Sequence, residues 1–304
     1  MATRLSIIMA AKADCGVILR RGPTNQVQLI KWNTLNDTFE YGQWFKGRIY
    51  EDKCDLSPSG NRFIYLASKH KGKYETWTAV SRPPYLTALA FWPKSDTFGG
   101  GGVFKDEDTI LLNHYEKETI MPPEFHIPKK IKVIPVGKGL NLNYNEQIDK
   151  IKSEKSGWKL FSEGKVTEDP GYYSVNKEKQ KNAKMWWIVD PPHVFTKEFR
   201  FSEKAAVIME YQIKGYHVRN GPSVLGNYLI KNTGMDINID LGEADWADWD
   251  KNGNLLYSKE GKLFRLKQDM KLKEIYDIDK SVMIADFSGL KFKSFAAPIE
   301  AIRW

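Results

Sequence analysis

The sequence has little cysteine, little helical periodicity and no long hydrophobic run. Its 304 residues include two cysteines, Cys15 and Cys54, which are too few for the disulfide framework of a small secreted protein. Each precedes an apolar run, so we predict that both are buried, reduced thiols. No stretch approaches the roughly 20 apolar residues of a membrane helix. The short apolar segment 5–11 is followed at once by Lys12 and Asp14, unlike a signal peptide. We therefore expect a cytoplasmic protein with no membrane partner.

Motifs that usually identify an enzyme are also scarce. No pair of histidines has a metal-ligand spacing such as His-x-x-x-His, and no cysteine pair accompanies them. There is no Gly-x-Ser-x-Gly nucleophile elbow. Residues 99–102 are four consecutive glycines, but no Gly-Lys-Ser/Thr follows them, as a phosphate loop requires. We predict a crowded turn or β-bulge there, with an anion-binding loop as the alternative. We predict neither a cofactor nor a metal.

One acidic turn has the first half of a calcium loop. Asp248, Asp250, Asn252 and Gly253 form the pattern D-x-D-x-N-G, which opens many calcium-binding loops. The twelfth position of such a loop carries an acidic ligand, and here it is Lys259. We therefore predict a plain turn, with a calcium site as the alternative.

The residues that are abundant favour β-structure. Aromatic residues make up 13% of the chain, and large rings suit the half-buried surface of a pleated sheet. The best helical candidate is residues 145–155, which have few apolar positions. Elsewhere, short β-rich runs alternate with turn residues. This pattern predicts four hairpins, which join residues 16–20 to 27–32, 62–67 to 75–80, 205–211 to 216–219 and 254–258 to 262–266.

Two stretches of the chain repeat one pattern. The first copy reads Asp55-Leu-Ser-Pro-Ser-Gly-Asn-Arg-Phe-Ile-Tyr65, and the second reads Asp248-Trp-Asp-Lys-Asn-Gly-Asn-Leu-Leu-Tyr257. A weaker third copy, residues 199–209, lacks the glycine. The glycine supplies a positive φ in a tight turn, and Asp or Ser side chains cap the backbone groups that the turn frees. A hairpin that recurs in this way along a β chain indicates propeller blades.

The first copy resembles the D-x-S-P-D-G-K-x-[LI]-[VA]-[FY] hairpin of TolB-like and WD-like β-propeller repeats, with Ser59 where the family usually has Asp. The second copy, with the strand of residues 261–266, resembles the same unit. The resemblance implies an all-β propeller of about five or six four-stranded blades, each roughly 40–50 residues long. We therefore predict one propeller domain over residues 1–304. Residues 118–156, rich in proline and lysine, are predicted to be an irregular insertion between blades.

Five residues are candidates for binding. Arg82 and Tyr85 flank two prolines, and because proline does not fit inside a sheet, they must lie at a strand end. Trp92 and Trp187 extend this set, since arginine and aromatic residues are enriched in protein interfaces. The alternative for Trp92 is the core, the commoner place for a strand tryptophan. His193 is the fifth candidate, with a polar loop after a buried strand as its alternative.

Composition and fold together leave three functions open. The first is a non-enzymatic protein-interaction module, because the fold implied by the repeats has a central channel but no single activity. The second is a hydrolase with its active site at the mouth of the propeller channel. The third is a polyanion or nucleic-acid binder that uses Lys129, Lys130, Lys132 and their neighbours, since the net charge is +8.

Overall fold

The computed structural model describes residues 3–22, 25–136, 146–169, 171, 178, 185–203, 205–218, 222–232, 235–269 and 276–304. The chain is mostly β and divides into two compact units. The first unit comprises Ala2–Ser156 with Phe287–Trp304, and the second comprises Gly157–Asp286. The single domain over residues 1–304 stays a prediction. No helix within the described ranges is long and apolar enough to cross a membrane.

The first unit begins with two four-stranded antiparallel sheets, in which neighbouring strands follow chain order. The first sheet contains β1 (Arg4–Met9), β2 (Cys15–Arg21), β3 (Gln26–Asn33) and β4 (Thr38–Lys46). The second contains β5 (Arg48–Leu56), β6 (Phe63–Ser68), β7 (Thr76–Ser81) and β8 (Ala88–Lys94). All six residues of β6 are buried, because both faces of this inner strand are covered. The predicted hairpins β2–β3 and β6–β7 are confirmed.

A smaller sheet and one helix complete this part of the first unit. The sheet has the order β11-β10-β9 and contains β9 (Gly102–Phe104), β10 (Thr109–Leu112) and β11 (Lys132–Pro135). Helix α1 (Glu146–Ser156) confirms the predicted helical segment. Residues 118–156 thus contain a strand that pairs in parallel with β10, and not only irregular loop.

The second unit contains a six-stranded sheet with long central strands. Its strands are β12 (Lys159–Ser162), β13 (Val166–Glu168), β14 (Met185–Arg200), β15 (Ala206–Val218), β16 (Val224–Asn232) and β17 (Met235–Gly242). The hairpin predicted between residues 205–211 and 216–219 is wrong, because residues 206–218 form the single strand β15. Gly215 lies at a register shift in the ladder, where an added Cβ would be 2.8 Å from the Trp187 carbonyl oxygen. It is therefore a close-approach glycine in a bulged strand and not a turn glycine.

The last sheet is a third four-stranded antiparallel meander, in the second unit. It contains β18 (Trp246–Trp249), β19 (Leu255–Lys259), β20 (Lys262–Leu266) and β21 (Val282–Asp286). The predicted hairpin β19–β20 is confirmed. Its two turn residues, Glu260 and Gly261, have φ values of 54° and 78°, as a tight turn compatible with strand twist requires.

The two copies of the repeated hairpin have matching geometry. Gly60 and Gly253 have φ values of 76° and 77°. Their backbone N–H groups donate to the carbonyl oxygens of Ser57 and Asp250, at 2.8 and 3.0 Å. The first copy joins β5 to β6 and the second joins β18 to β19, so each links the first two strands of a four-stranded meander. The repeat therefore marks equivalent positions in two sheets.

The leading Asp of each copy also has the same kind of partner. Asp55 accepts from Lys155 Nζ at 2.6 Å, and Asp248 accepts from Lys197 Nζ at 2.5 Å. Both lysines come from outside the hairpin, the first from α1 and the second from β14. The leading Asp thus fixes each hairpin to a neighbouring element of its own unit.

Neither cysteine forms a disulfide. Cys54 is buried as predicted, and burial raises the pKa of its thiol. Cys15 is only half-buried, contrary to the prediction, because it begins β2 beside the Gly60 turn. Its Sγ lies 3.9 Å from the Ser59 carbonyl oxygen.

Candidate functional site

Arg82 and Tyr85 lie in the turn between β7 and β8, as the two prolines predict. The backbone N–H of Tyr85 donates to the Arg82 carbonyl oxygen at 2.8 Å, which closes the turn. Both side chains are partly exposed, whereas the two prolines between them are buried. A proline-filled turn with few accessible conformations holds its exposed side chains in place.

Strand β4 lies directly beside this turn. A Cβ added at Gly42 would be 1.8 Å from the Pro84 carbonyl oxygen, so only glycine permits this approach. The neighbouring Gln43 bonds the turn at three points. Its N–H donates to Pro84 O at 3.0 Å, and its Oε1 accepts from Leu86 N at 2.8 Å and from Thr87 Oγ1 at 3.1 Å. The turn and β4 therefore form one rigid surface.

The C-terminal segment of the chain, residues 287–304, lies on this surface. The Phe292 ring centroid is 6.0 Å from that of Trp44, and Lys46 Nζ lies over the Phe292 ring, 4.2 Å from its centroid. Phe295 packs edge-on against Tyr85 at 6.4 Å. We call residues 287–304 the tail, and the surface of Gln43, Trp44, Lys46, Arg82 and Tyr85 the tail-binding face.

Main-chain atoms of the tail supply its polar contacts with this face. Gln43 Nε2 donates to the Phe295 carbonyl oxygen at 3.2 Å. Arg82 Nε donates to the Arg303 carbonyl oxygen at 2.7 Å. Because both acceptors are backbone carbonyl oxygens, these bonds do not depend on which side chains the bound segment carries.

Arg20 holds the beginning of the tail from inside the unit. Its side chain is 1% exposed. It donates to the carbonyl oxygens of Phe287 at 3.1 Å, Ser288 at 3.0 Å and Gly22, and to Thr3 Oγ1 at 3.2 Å. Burial lowers the pKa of this guanidinium, but four oxygen acceptors compensate the buried charge.

The other predicted binding residues lie elsewhere. Trp92 is 1% exposed and packs in a core cluster with Ile64, Phe104 and Trp304. It therefore belongs to the core, the alternative that the sequence left open, and does not reach the tail-binding face. Trp187 and His193 lie on β14 of the second unit, so they are not part of this face, which belongs to the first unit.

Trp187 and His193 are brought together around Tyr216. Tyr216 pairs with Trp187 across the β14–β15 ladder, and its ring lies 6.3 Å from the His193 ring. His193 Nδ1 accepts from the backbone N–H of Gly164 at 2.8 Å. This bond places the proton of the neutral ring on Nε2. The predicted polar loop after a buried strand is instead a bulge within β14.

The glycines at 99–102 form the predicted crowded turn. Gly99, Gly100 and Gly101 all have positive φ, between 66° and 75°. The N–H of Gly100 donates to Asn113 O at 2.7 Å, and that of Gly101 donates to Thr78 Oγ1 at 2.8 Å. These two donors are engaged within the protein, so they are not directed at an anion.

The acidic turn at Asp250 has the contacts of a structural turn. Asp250 accepts from the backbone N–H groups of Asn252 and Asn254, both at 2.9 Å, from Asn254 Nδ2 at 2.8 Å and from Arg265. Asp248 is paired with Lys197. Among the described residues, no group of three or more His, Cys, Asp or Glu side chains is arranged to hold a metal ion.

Lys53 and Asp149 are the two residues with shifted pKa values that most resemble the acid–base pair of an enzyme. Burial lowers the pKa of Lys53, and desolvation raises the pKa of Asp149 to about 6. However, Lys53 Nζ donates to the carbonyl oxygens of Thr97 and Gly99, both at 2.7 Å. Its ammonium group thus holds the glycine turn in place and is not a free nucleophile or base.

Sequence reasoning missed Gln43, Trp44 and the whole tail. The apolar residues Phe287, Leu290, Phe292 and Phe295 of the tail are spaced by three, two and three positions, so they keep neither the helical nor the strand period. This irregular spacing is the signal in the sequence that could have pointed to the tail. Apolar residues that follow neither period are still expected to pack against another part of the chain.

Comparison with known proteins found no match to any family model, curated protein or solved structure. The function must therefore be argued from the geometry of this chain.

Proposed function

We propose that this chain is a non-enzymatic, cytoplasmic β-propeller that acts as a protein-interaction module. Three four-stranded antiparallel meanders and two further sheets support about five blades. The matching hairpins at Asp55 and Asp248 support equivalent positions in two of them. In a propeller, the strand-end turns lie on the two faces of the disc, where partners bind.

The tail seated on the tail-binding face is the observation that carries this proposal. That face holds a segment that contains no strand and only one short 3-10 turn, Ile299–Ala301, through aromatic contacts and through bonds to its backbone carbonyl oxygens. Surfaces that bind peptides of other proteins use the same combination. Arg82, Tyr85 and Trp44 are also the residue types that dominate interface energies.

The proposal is tested by affinity capture from cells of the native host, with mass spectrometry as the readout. The full chain is compared with the double variant Arg82→Ala/Tyr85→Ala and with Phe98→Ala as the matched control. Phe98 is an aromatic residue of the same unit that is 77% exposed. We expect a partner that the wild type and the control retain and the double variant loses. Equal capture by all three chains, or no captured protein, contradicts the proposal.

Polyanion binding is a second candidate, favoured by the distribution of charge. The first unit contains 26 basic and 18 acidic residues, whereas the second contains 20 of each. The entire net charge of +8 therefore lies in the first unit. Seven Lys or Arg groups lie over aromatic rings within the described ranges, and all seven are in that unit. Basic and aromatic residues together are typical of single-strand nucleic-acid surfaces.

Binding of a labelled oligothymidine to the full chain, measured over a range of salt concentrations, tests this second candidate. Three lysines of the first unit, all exposed, are replaced by glutamine, and three exposed lysines of the second unit serve as the control. The two sets are Lys129, Lys130 and Lys132, and Lys159, Lys214 and Lys259. Each lost phosphate contact should lower the salt slope by about 0.7, the value for a single strand. Equal slopes for both variants, or no binding at low salt, exclude this function.

A further inference from the structure

We propose that the tail-binding face receives an acidic, aromatic peptide of a partner protein, and that this peptide displaces the middle of the tail. This inference rests on the proposed function and names the partner's chemistry. The bound peptide would place two aromatic side chains where Phe292 and Phe295 now lie, with carboxylates next to the first.

Two aromatic positions define the footprint of the peptide. Phe292 contacts both the Trp44 ring, at 6.0 Å, and the Lys46 ammonium group, at 4.2 Å. Phe295, three residues further on, meets Tyr85 at 6.4 Å. Gln43 donates a hydrogen bond to the Phe295 carbonyl oxygen. A peptide with the same aromatic spacing can therefore make every one of these contacts.

The middle of the tail is held less firmly than its two ends. At its start, Phe287 is fully buried and bonded by Arg20. At its end, Ala301 is buried and Trp304 Nε1 donates to the His126 carbonyl oxygen at 2.7 Å. Between these anchors, residues 288–300 are mostly exposed, and Phe295 is 37% exposed. The segment that buries little apolar area gains little from staying bound.

Charge indicates which peptide would replace it. Lys291 and Lys293 flank Phe292, whose ring already lies under Lys46. The tail thus brings two further positive charges close in sequence to the ring that Lys46 contacts, and like charges repel. Arg82 adds a further cation at the other end of the face, and the unit as a whole is positive. Carboxylates at the two flanking positions would turn this repulsion into attraction, so an acidic peptide has the advantage over the tail itself.

Fluorescence anisotropy with three labelled peptides tests the inference. All three have the sequence of residues 288–300. The first carries Lys291→Glu and Lys293→Glu, the second adds Phe292→Ala and Phe295→Ala to these changes, and the third is unchanged. We expect the first peptide to bind more tightly than the third, and the second to show no binding. Equal binding of the first and second peptides, or tighter binding of the third, overturns the inference.

Full-length variants then show whether the peptide competes with the tail. The Phe292→Ala/Phe295→Ala chain loses both aromatic contacts between the tail and the face, so the tail should leave the face open most of the time. The acidic peptide should then bind about tenfold more tightly than to the wild type, if the wild-type tail covers the face about nine-tenths of the time. Tyr85→Ala should abolish binding, and Phe98→Ala should not change it. Equal affinity for the wild type and the tail variant overturns displacement. Circular dichroism of each variant confirms that it is folded.

This result can be separated from a failure of the proposed function. If affinity capture finds a partner that depends on Tyr85, but none of the three peptides binds, the interaction module stands and the acidic, aromatic partner is wrong. If neither experiment shows dependence on Tyr85, both proposals are wrong.

Discussion

At the scale of single residues, the first unit contains a directional chain of buried hydrogen bonds. The Gly101 N–H donates to Thr78 Oγ1 at 2.8 Å, and Thr78 Oγ1 lies 2.8 Å from His114 Nε2. His114 Nδ1 lies 3.2 Å from the Glu118 carbonyl oxygen, which can only accept. The ring proton must therefore lie on Nδ1, and the Thr78 hydroxyl donates to Nε2. The bond from the Thr78 hydroxyl to Nε2 requires a neutral imidazole, because a protonated Nε2 cannot accept.

His114 should make the stability of the protein depend on pH. Burial, with repulsion from Lys94, lowers its pKa to about 3, whereas the unfolded value is about 6.5. The unfolded chain thus binds a proton below about pH 6.5 that the folded chain does not bind. The stabilisation is complete above that pH and is lost as the pH falls towards 3. Between pH 7 and 5 the wild type should lose about 2 kcal/mol more unfolding free energy than His114→Gln.

Urea unfolding of both chains at pH 7, 6 and 5 measures this difference. Other groups titrate equally in the two chains, so they cancel. Parallel pH dependences would mean that the ring is not held neutral.

Arg20 should be irreplaceable, even by lysine. Its planar guanidinium reaches four acceptors and lies 5.3 Å from the Trp44 ring, and an ammonium group cannot reproduce that geometry. Arg20→Lys should lower the free energy of unfolding by about 2–4 kcal/mol, because buried carbonyl oxygens lose their donors. It should also release the tail, which limited trypsin digestion would detect as faster cleavage at Lys291 or Lys293.

The neighbouring Arg21 provides the matched control. It makes a partly exposed ion pair with Glu51 at 3.0 Å, so Arg21→Lys should cost less than about 1 kcal/mol. Similar losses for both variants would show that the acceptor geometry at Arg20 is not the cause.

At the scale of elements, local turn chemistry could be predicted from the sequence, and long-range contacts could not. The turns at Gly60, Gly253 and Gly261 follow from the need for positive φ between two β-rich runs. The same reasoning placed a turn at Gly215, where the glycine instead allows a neighbouring strand to approach. A glycine has both uses, and only the strand that pairs with it decides between them.

The glycine turn at 99–102 should depend strongly on Gly101. Its φ is +70°, and an added Cβ would lie 2.0 Å from the Lys53 carbonyl oxygen. Gly101→Ala must therefore move the backbone of β5, and we expect a loss of at least about 3 kcal/mol in unfolding free energy. The comparison variant is Gly72→Ala, with φ +90° and no heavy atom within 4 Å of the added Cβ. It should cost only about 1 kcal/mol, from the backbone conformation alone. Thermal unfolding of the two variants decides this, and equal losses would rule out the steric cause.

At the scale of the whole molecule, the sequence predicted the class of sheet but not the site. Two repeat copies with conserved turn geometry were enough to predict four-stranded antiparallel sheets. Of the binding candidates, Arg82 and Tyr85 could be placed because proline fixes a strand end. The tail that covers them could not, because its Phe287 and the partner ring of Phe39 are 248 positions apart in the sequence. Such a contact depends on the complete fold and has no local pattern.

A single domain over residues 1–304 predicts that both units unfold together. Arg20→Lys weakens the first unit, and Asp250→Ala removes four bonds from the hairpin of the second unit. Each change should cost about 2–4 kcal/mol. In one cooperative domain, either variant lowers the unfolding free energy of both units equally, since no state has only one unit folded.

Hydrogen exchange with mass spectrometry reports on peptides from each unit separately, under conditions in which exchange occurs through global unfolding. We expect the most protected peptides of β6 and of β19 to lose the same amount of protection in each variant. If protection falls only in β6 in the first variant and only in β19 in the second, the chain has two independent domains and is not a single propeller.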